Sequence, residues 1–316
     1  MRAMCRTACS GLAASATRHA MDTLPLTPNG PDIGRLAYGC WRFAATDVDT
    51  AHEKIVTALD AGMTLIDTAD IYGADTDEGF GSAEALLGEV LEADSGLRGR
   101  MVLATKGGIW LGAPYDSSRD YLTAAFDRSL ERLKVDQVDL YQLHRPDLLT
   151  PMAELAETLD SFVASGKTRY IGVSNFRADQ IRALAAHMKA PIISVQNEFS
   201  VLCQDPIEDG VLSWCEENGA LFMAWSPLGG GRLFSHDGTA TDASVRETVA
   251  RLAKEKVTDE ASIALSFLSM CPGPVIPIIG TQNAERIAAL GREPLPTLTR
   301  REWYDIVEAY RGGPMP

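Results

Sequence analysis

The chain has 316 residues, 46% of them apolar and 23% charged, which is the balance of a water-soluble protein with enough apolar material for a large core. Its 43 acidic against 29 basic residues leave a net charge of −14 with no lysine- or arginine-dense block, which argues against nucleic acid or an anionic membrane as partner. Six scattered cysteines (Cys5, Cys9, Cys40, Cys203, Cys215 and Cys271), without CxxC or metal-ligand spacing, argue against a disulfide framework and point to a reducing compartment, the cytoplasm.

In chain order, residues 1–21 (MRAMCRTACSGLAASATRHAM) come first, with three arginines and no acid. They read as a disordered extension or a mis-called start ahead of Met21, with a transit peptide as the competing reading. From residue 22 onward, short β-prone runs alternate with longer stretches of helical periodicity. The strand candidates are 35–41, 63–68, 101–106, 138–144, 169–174, 193–197, 221–226 and 275–280. Between them, stretches such as 49–62, 80–93, 121–135, 151–166 and 178–188 repeat apolar residues at steps of three and four, as amphipathic helices do. Gly62, Gly166 and Gly219 stand where left-handed helix caps are expected, and Pro151 opens a helix at no cost in hydrogen bonding. The piece 229–244 reads as one long loop. The longest apolar stretches, such as ALFMAWSPL, fall short of the roughly 20 residues a membrane span needs.

Strands alternating with helices make a parallel sheet covered by helices, and eight such units close into a (β/α)8 TIM barrel. The open doubly wound alternative is weakened because no GxGxxG follows the first strand candidate. With no Pro/Gly/Ser-rich linker, 22–316 reads as a single α/β domain. In a barrel of this type the active site lies at the C-terminal strand ends. Asp67, Lys106 and His144 end three successive candidates, and Tyr72 follows Asp67 in its loop. Each has an ordinary structural explanation alone, but their joint placement is harder to set aside. Asp70, between Asp67 and Tyr72, is assigned to loop hydrogen bonding or solvent.

At these positions the sequence resembles the aldo-keto reductases. The resemblance rests on GCWRF, IDTADIYG, GSAEALLGE, KGG, LYQLHRPD, IGVSNF, VQNEFS, AWSPLGGG and PIIGTQNAERI, spread from about Arg35 to Gly312. It implies NADPH-dependent reduction of small carbonyl compounds, with NADH the less favoured cofactor. It also implies a catalytic set of Asp67, Tyr72, Lys106 and His144. Tyrosine has an ordinary pKa near 10, so an adjacent ammonium is expected to lower it, with Asp67 holding Lys106 charged. His144 would orient the carbonyl.

For the cofactor, the resemblance implies Ser174, Asn175 and Gln196 at the nicotinamide carboxamide, and Trp225 stacked on its ring where most relatives carry tyrosine. It further implies Ser226, Pro227, Leu228, Gly229, Gly230 and Gly231 along the pyrophosphate, with Arg232 adding charge. Gly280, Thr281 and Arg286 would grip the adenosine end, although Gly280 replaces a lysine common in the family. From the residues themselves, Ser174 or Asn175 also reads as a helix N-cap. Trp41 and Phe43 either wall the substrate or plug the barrel mouth. Arg145 and Asp147 either touch substrate or pair with each other. Two rivals are a slow NADP(H)-binding redox sensor acting on a protein partner, and a metal-dependent barrel enzyme. The second is disfavoured because only His144 among five histidines falls at a strand end. No metal is expected, and a monomer is the default.

Overall fold

A computed structural model describes residues 23–43, 46–291 and 294–316. The expectation for residues 1–21 lies outside them. In chain order the strands are β1 Thr23–Pro25, β2 Asp32–Gly34, β3 Ala37–Gly39, β4 Leu65–Asp67, β5 Val102–Gly107, β6 Ile109–Trp110 and β7 Ala113–Tyr115, followed by β8 Val138–Leu143, β9 Thr168–Ser174, β10 Ile192–Glu198, β11 Leu221–Trp225 and β12 Val275–Ile279. The helices that bear on the site are α1 Val48–Asp60, α2 Ser82–Ala93, α3 Arg119–Leu133, α4 Met152–Ala164 and α5 Ala178–Ala185. Later come α6 Asp205–Glu208, α7 Val211–Asn218, α8 Ala240–Lys256, α9 Glu260–Ser269, α10 Ala284–Leu290 and α11 Arg300–Arg311.

Strands β3, β4, β5, β8, β9, β10, β11 and β12 pair in parallel, and β9 against β10 closes the ring into a barrel. These are the eight strands expected from sequence. Alternation along each strand divides its side chains between the barrel interior and the surrounding helices. The inner set starts with Leu65, Val102, Ala104, Leu140, Leu221, Met223 and Ile276, and the hairpin β1–β2 adds Leu26 and Ile33 to that apolar cluster. Asp67, Lys106, Gln142 and Gln196 continue the same faces toward the C-terminal strand ends. The interior is therefore apolar at one end and polar at the other.

Outside the barrel, Tyr141, Phe126 and Phe162 stack together between β8 and helices α3 and α4. Helix α2 meets α3 so closely that a Cβ at Gly88 would lie 2.0 Å from the carbonyl oxygen of Arg132. Replacing Gly88 by alanine is expected to cost about 1–3 kcal/mol through forced separation of the two helices. A lower Tm in calorimetry with unchanged far-UV ellipticity would register it; an unchanged or raised Tm would show that the interface yields freely.

Gly62, Gly166 and Gly219 all adopt the left-handed conformation expected of them. Pro151 is the N-cap rather than the first helical residue of α4. The span 229–244 is not one loop. A 3-10 turn occupies Gly229–Phe234, and α8 begins at Ala240 behind a Thr239–Asp242 capping box. No helix among the described residues is long and apolar enough to cross a membrane.

Candidate active site

Asp67 ends β4 with 1% of its surface exposed, and three donors converge on its carboxylate. Lys106 Nζ donates to Oδ2 at 2.6 Å, while Gln196 Nε2 and Gln142 Nε2 donate to Oδ1 at 2.9 and 3.2 Å. Lys106 also donates to the Thr68 carbonyl at 2.9 Å and is fully buried. Burial works against its ammonium, but the charges of Asp67 and Tyr72 outweigh it and hold the group above the ordinary lysine range.

Tyr72 is carried by the loop after β4. The Lys106 ammonium sits 4.9 Å from the centre of its ring, and the His144 ring meets it edge-on at 5.9 Å between centroids. Burial pushes the Tyr72 phenol upward, and the lowering by Lys106 does not overcome it. This corrects the expectation of a lowered value, because desolvation outweighs the nearby charge. Tyr72 is a protonated phenol throughout the neutral range.

His144 follows β8 and is 9% exposed. Burial, with the charges of Lys106 and Arg145, holds it well below the ordinary imidazole range, so the ring is neutral. Its Nδ1 is buried without a hydrogen-bond partner. A buried N–H lacking an acceptor is rarer than a bare acceptor, which assigns the proton to Nε2.

The cofactor candidates form a second connected group beside these. Ser174 Oγ donates to the Gln196 carbonyl at 2.8 Å, and Asn175 Nδ2 donates to Ser174 Oγ at 2.9 Å and to the His144 carbonyl at 3.1 Å. Trp225 Nε1 donates to Asn175 Oδ1 at 3.2 Å, which ties the indole to the end of β9. Neither Ser174 nor Asn175 is an N-cap, since Arg177 caps α5 and Asn175 adopts a left-handed conformation at φ 61°. Ser226 shares that strained region at φ 49°, and the three glycines 229–231 all have positive φ. Pro227 is buried and Leu228 half-buried as this chain leaves the barrel. Arg232 donates to the Gly229 carbonyl and lies 3.5 Å from Asp242. After β12, a Cβ at Gly280 would meet nothing within 4 Å, the Thr281 carbonyl accepts from Tyr38 at 3.3 Å, and the exposed Arg286 lies in the first turn of α10.

Several expectations need correction. Phe43 does not wall a substrate pocket: its backbone N–H turns back to the Cys40 carbonyl, and the ring is 0% exposed within the core. Trp41 is 51% exposed at the mouth, with Arg42 over its ring at 5.2 Å. Asp70 is buried rather than solvated, with neither carboxyl oxygen hydrogen-bonded. Burial and the neighbouring Glu84 push it well above the usual carboxylate range, so it is a neutral acid. Arg145 and Asp147 do not pair: Asp147 accepts from Ser117 N, Leu149 N and Thr150 Oγ1. Gln142, which sequence reasoning passed over, stands two residues before His144 on the same inward face of β8. That alternation was the signal that could have found it. Among the described residues no group of three or more His, Cys, Asp or Glu side chains could hold a metal ion.

The model of the Aldo/keto reductase family matches residues 35–311. The chain is 47% identical to a 6-dehydroglucose reductase of Novosphingobium aromaticivorans over 94% of its own length and 100% of that protein. A protein of the same name from Agrobacterium fabrum is 36% identical over 87% of this chain and 93% of its own. Among solved structures, the glycerol dehydrogenase of Gluconobacter oxydans superposes with a TM-score of 0.80 at 26% identity, covering 94% of this chain and 98% of that one.

Proposed function

This chain belongs to the aldo/keto reductase family, and from that membership we propose that it reduces aldehydes and ketones to alcohols with NADPH, reversibly, with Tyr72 as proton donor. Residues 22–316 would act as one catalytic domain in the cytoplasm, as a monomer. The two relatives bearing the name 6-dehydroglucose reductase make a sugar-derived carbonyl compound the substrate class we propose. The observation that carries this reading is the buried contact of Lys106 with Asp67 at 2.6 Å beneath the Tyr72 ring, with His144 edge-on to that ring.

The residues fit a nicotinamide cofactor. Gln196 uses Nε2 on Asp67, which leaves Oε1 to accept from a carboxamide, and Ser174 and Asn175 border it. Trp225 is held by Asn175 and offers a flat face to a ring. In the turn from Ser226 to Gly231, Pro227 has no N–H and those of Gly229 and Gly231 donate to the Ser226 and Leu228 carbonyls, which leaves the N–H groups of Ser226, Leu228 and Gly230, with the Arg232 guanidinium, to suit a pyrophosphate. Thr281 and Arg286 beside the open Gly280 suit an adenosine phosphate, which favours NADPH over NADH.

The chemistry that a bound nicotinamide cofactor supplies is hydride delivery to the carbonyl carbon. The Tyr72 hydroxyl gives its proton to the carbonyl oxygen, and His144 Nε2–H donates a hydrogen bond to the same oxygen as negative charge develops there. Lys106, held charged by Asp67, stabilises the phenolate left on Tyr72. In alcohol oxidation the same phenolate takes the proton back.

Fluorescence titration with NADPH and NADH, followed by rates on a panel of aldehydes and ketones, tests the reading. NADPH is expected to bind roughly tenfold more tightly than NADH, through the bidentate pairing of Arg286 with a phosphate. Carbonyl-dependent oxidation of the cofactor is expected on part of the panel. Binding without turnover on any carbonyl compound would refute the reductase assignment.

A further inference from the structure

At the C-terminal mouth of the barrel, Arg145 follows the end of β8 and Glu198 ends β10, with only β9 between the two strands and no bond joining the two charges. Arg145 directly follows His144, and its guanidinium has no hydrogen bond or ion pair among the described residues, because Asp147 is taken up by its own loop. Glu198 ends β10, two residues beyond Gln196 and four beyond Ser194, both of which bond inward to Gln142 or Asp67. Alternation points Glu198 to the same side, one layer closer to the opening. Its carboxylate is half-buried and likewise lacks a hydrogen bond. Burial and Asp205 raise it, while Arg232 and Arg145 act in the opposite direction, so both guanidiniums lie within electrostatic reach. Arg145 also acts on His144, which ties this corner to the reacting centre.

We propose that Arg145 and Glu198 form a recognition site for adjacent hydroxyl groups on a polyhydroxylated carbonyl substrate whose reacting carbon lies between Tyr72 and His144. The proposal rests on the reductase reading above and adds to it what the substrate must carry. A guanidinium offers only donors and a carboxylate only acceptors, whereas each hydroxyl of a diol both accepts and donates. Two neighbouring hydroxyls can thus accept from Arg145 and donate to Glu198 at once, bridging a gap that neither side chain closes alone. The local charges decide between a neutral and an anionic ligand. Arg145 acts against Glu198 here, while Arg232 lies beside Asp242 and is assigned to the pyrophosphate, so an anion gains from Arg145 what it loses to Glu198. A neutral polyol meets no such penalty.

The test is kcat/KM for D-glyceraldehyde divided by kcat/KM for propanal, which has the same carbon skeleton without the hydroxyls, for wild type and for Arg145→Gln and Glu198→Gln. Each substitution is expected to lower that ratio by about tenfold or more, mainly through KM for glyceraldehyde. A ratio that neither substitution changes overturns the proposal while leaving the reductase reading intact. Reduction of neither aldehyde by the wild-type protein overturns this proposal, whereas the reductase reading falls only if no compound of the wider carbonyl panel is turned over. Glyoxylate separates the remaining alternative: if Glu198→Gln raises the rate on this anionic aldehyde and leaves the glyceraldehyde ratio unchanged, the pocket selects anions and the diol site is refuted.

Discussion

Replacing Tyr72 by phenylalanine is expected to lower kcat for the reduction of 4-nitrobenzaldehyde by about a thousandfold, while NADPH affinity stays within a few-fold of wild type. The ring remains, so its edge contact with His144 and its position over Lys106 are retained. Only the hydroxyl is lost, and with it the proton the carbonyl oxygen must receive. The pH dependence supplies an independent signature. Burial holds the phenol above its ordinary value near 10, so Tyr72 stays protonated and reduction by wild type is expected to be flat from about pH 6 to 9. His144 is held well below the usual imidazole range and contributes no limb near 6.5. A wild-type profile that falls as pH rises through 7 would identify a different acid. Turnover by Tyr72→Phe within tenfold of wild type would refute the assignment outright.

The barrel was legible because each of its strands is followed by a helical stretch of clear period, and that alternation leaves few architectures open. The four candidate catalytic residues were legible for a related reason. Parallel strands place all their C-terminal ends at one mouth, so Asp67, Lys106 and His144 had to approach one another if the strands did. What escaped depended on contacts between distant elements. Asp70 sits in a polar-looking loop, but the chain packs it near Glu84 and Arg132, from α2 and α3, whose proximity no local pattern announces. Phe43 was open between a pocket wall and a plug of the barrel mouth because it follows a strand end, and the turn back to Cys40 carries it into the core. The hairpins β1–β2 and β6–β7 have strands of two or three residues, too short for alternation to register. Gln142 escaped because an amide carries no charge to mark it, although it stands on β8 two residues before His144. The roles proposed for Gly280, Thr281 and Arg286 after β12 rest on family resemblance alone.

Replacing Lys106 by methionine is expected to cost about 3–5 kcal/mol of stability in addition to abolishing measurable reduction. Methionine has a similar length, so packing changes little, but Asp67 is left in a site with 1% exposure and only the amides of Gln142 and Gln196 as donors. Most of the penalty belongs to that stranded carboxylate rather than to the lost attraction, since desolvation offsets much of what a buried ion pair gains. The double variant Lys106→Met with Asp67→Asn separates the two contributions. Asparagine keeps the shape and removes the charge, so the double variant is expected to recover most of the lost stability in urea unfolding. Activity is expected to stay lost, because no ammonium remains to stabilise the Tyr72 phenolate. Equal stability of the single and double variants would show that Asp67 is not the group that suffers when Lys106 is removed. Recovery of activity along with stability would show that the pair holds the barrel together and takes no part in proton transfer.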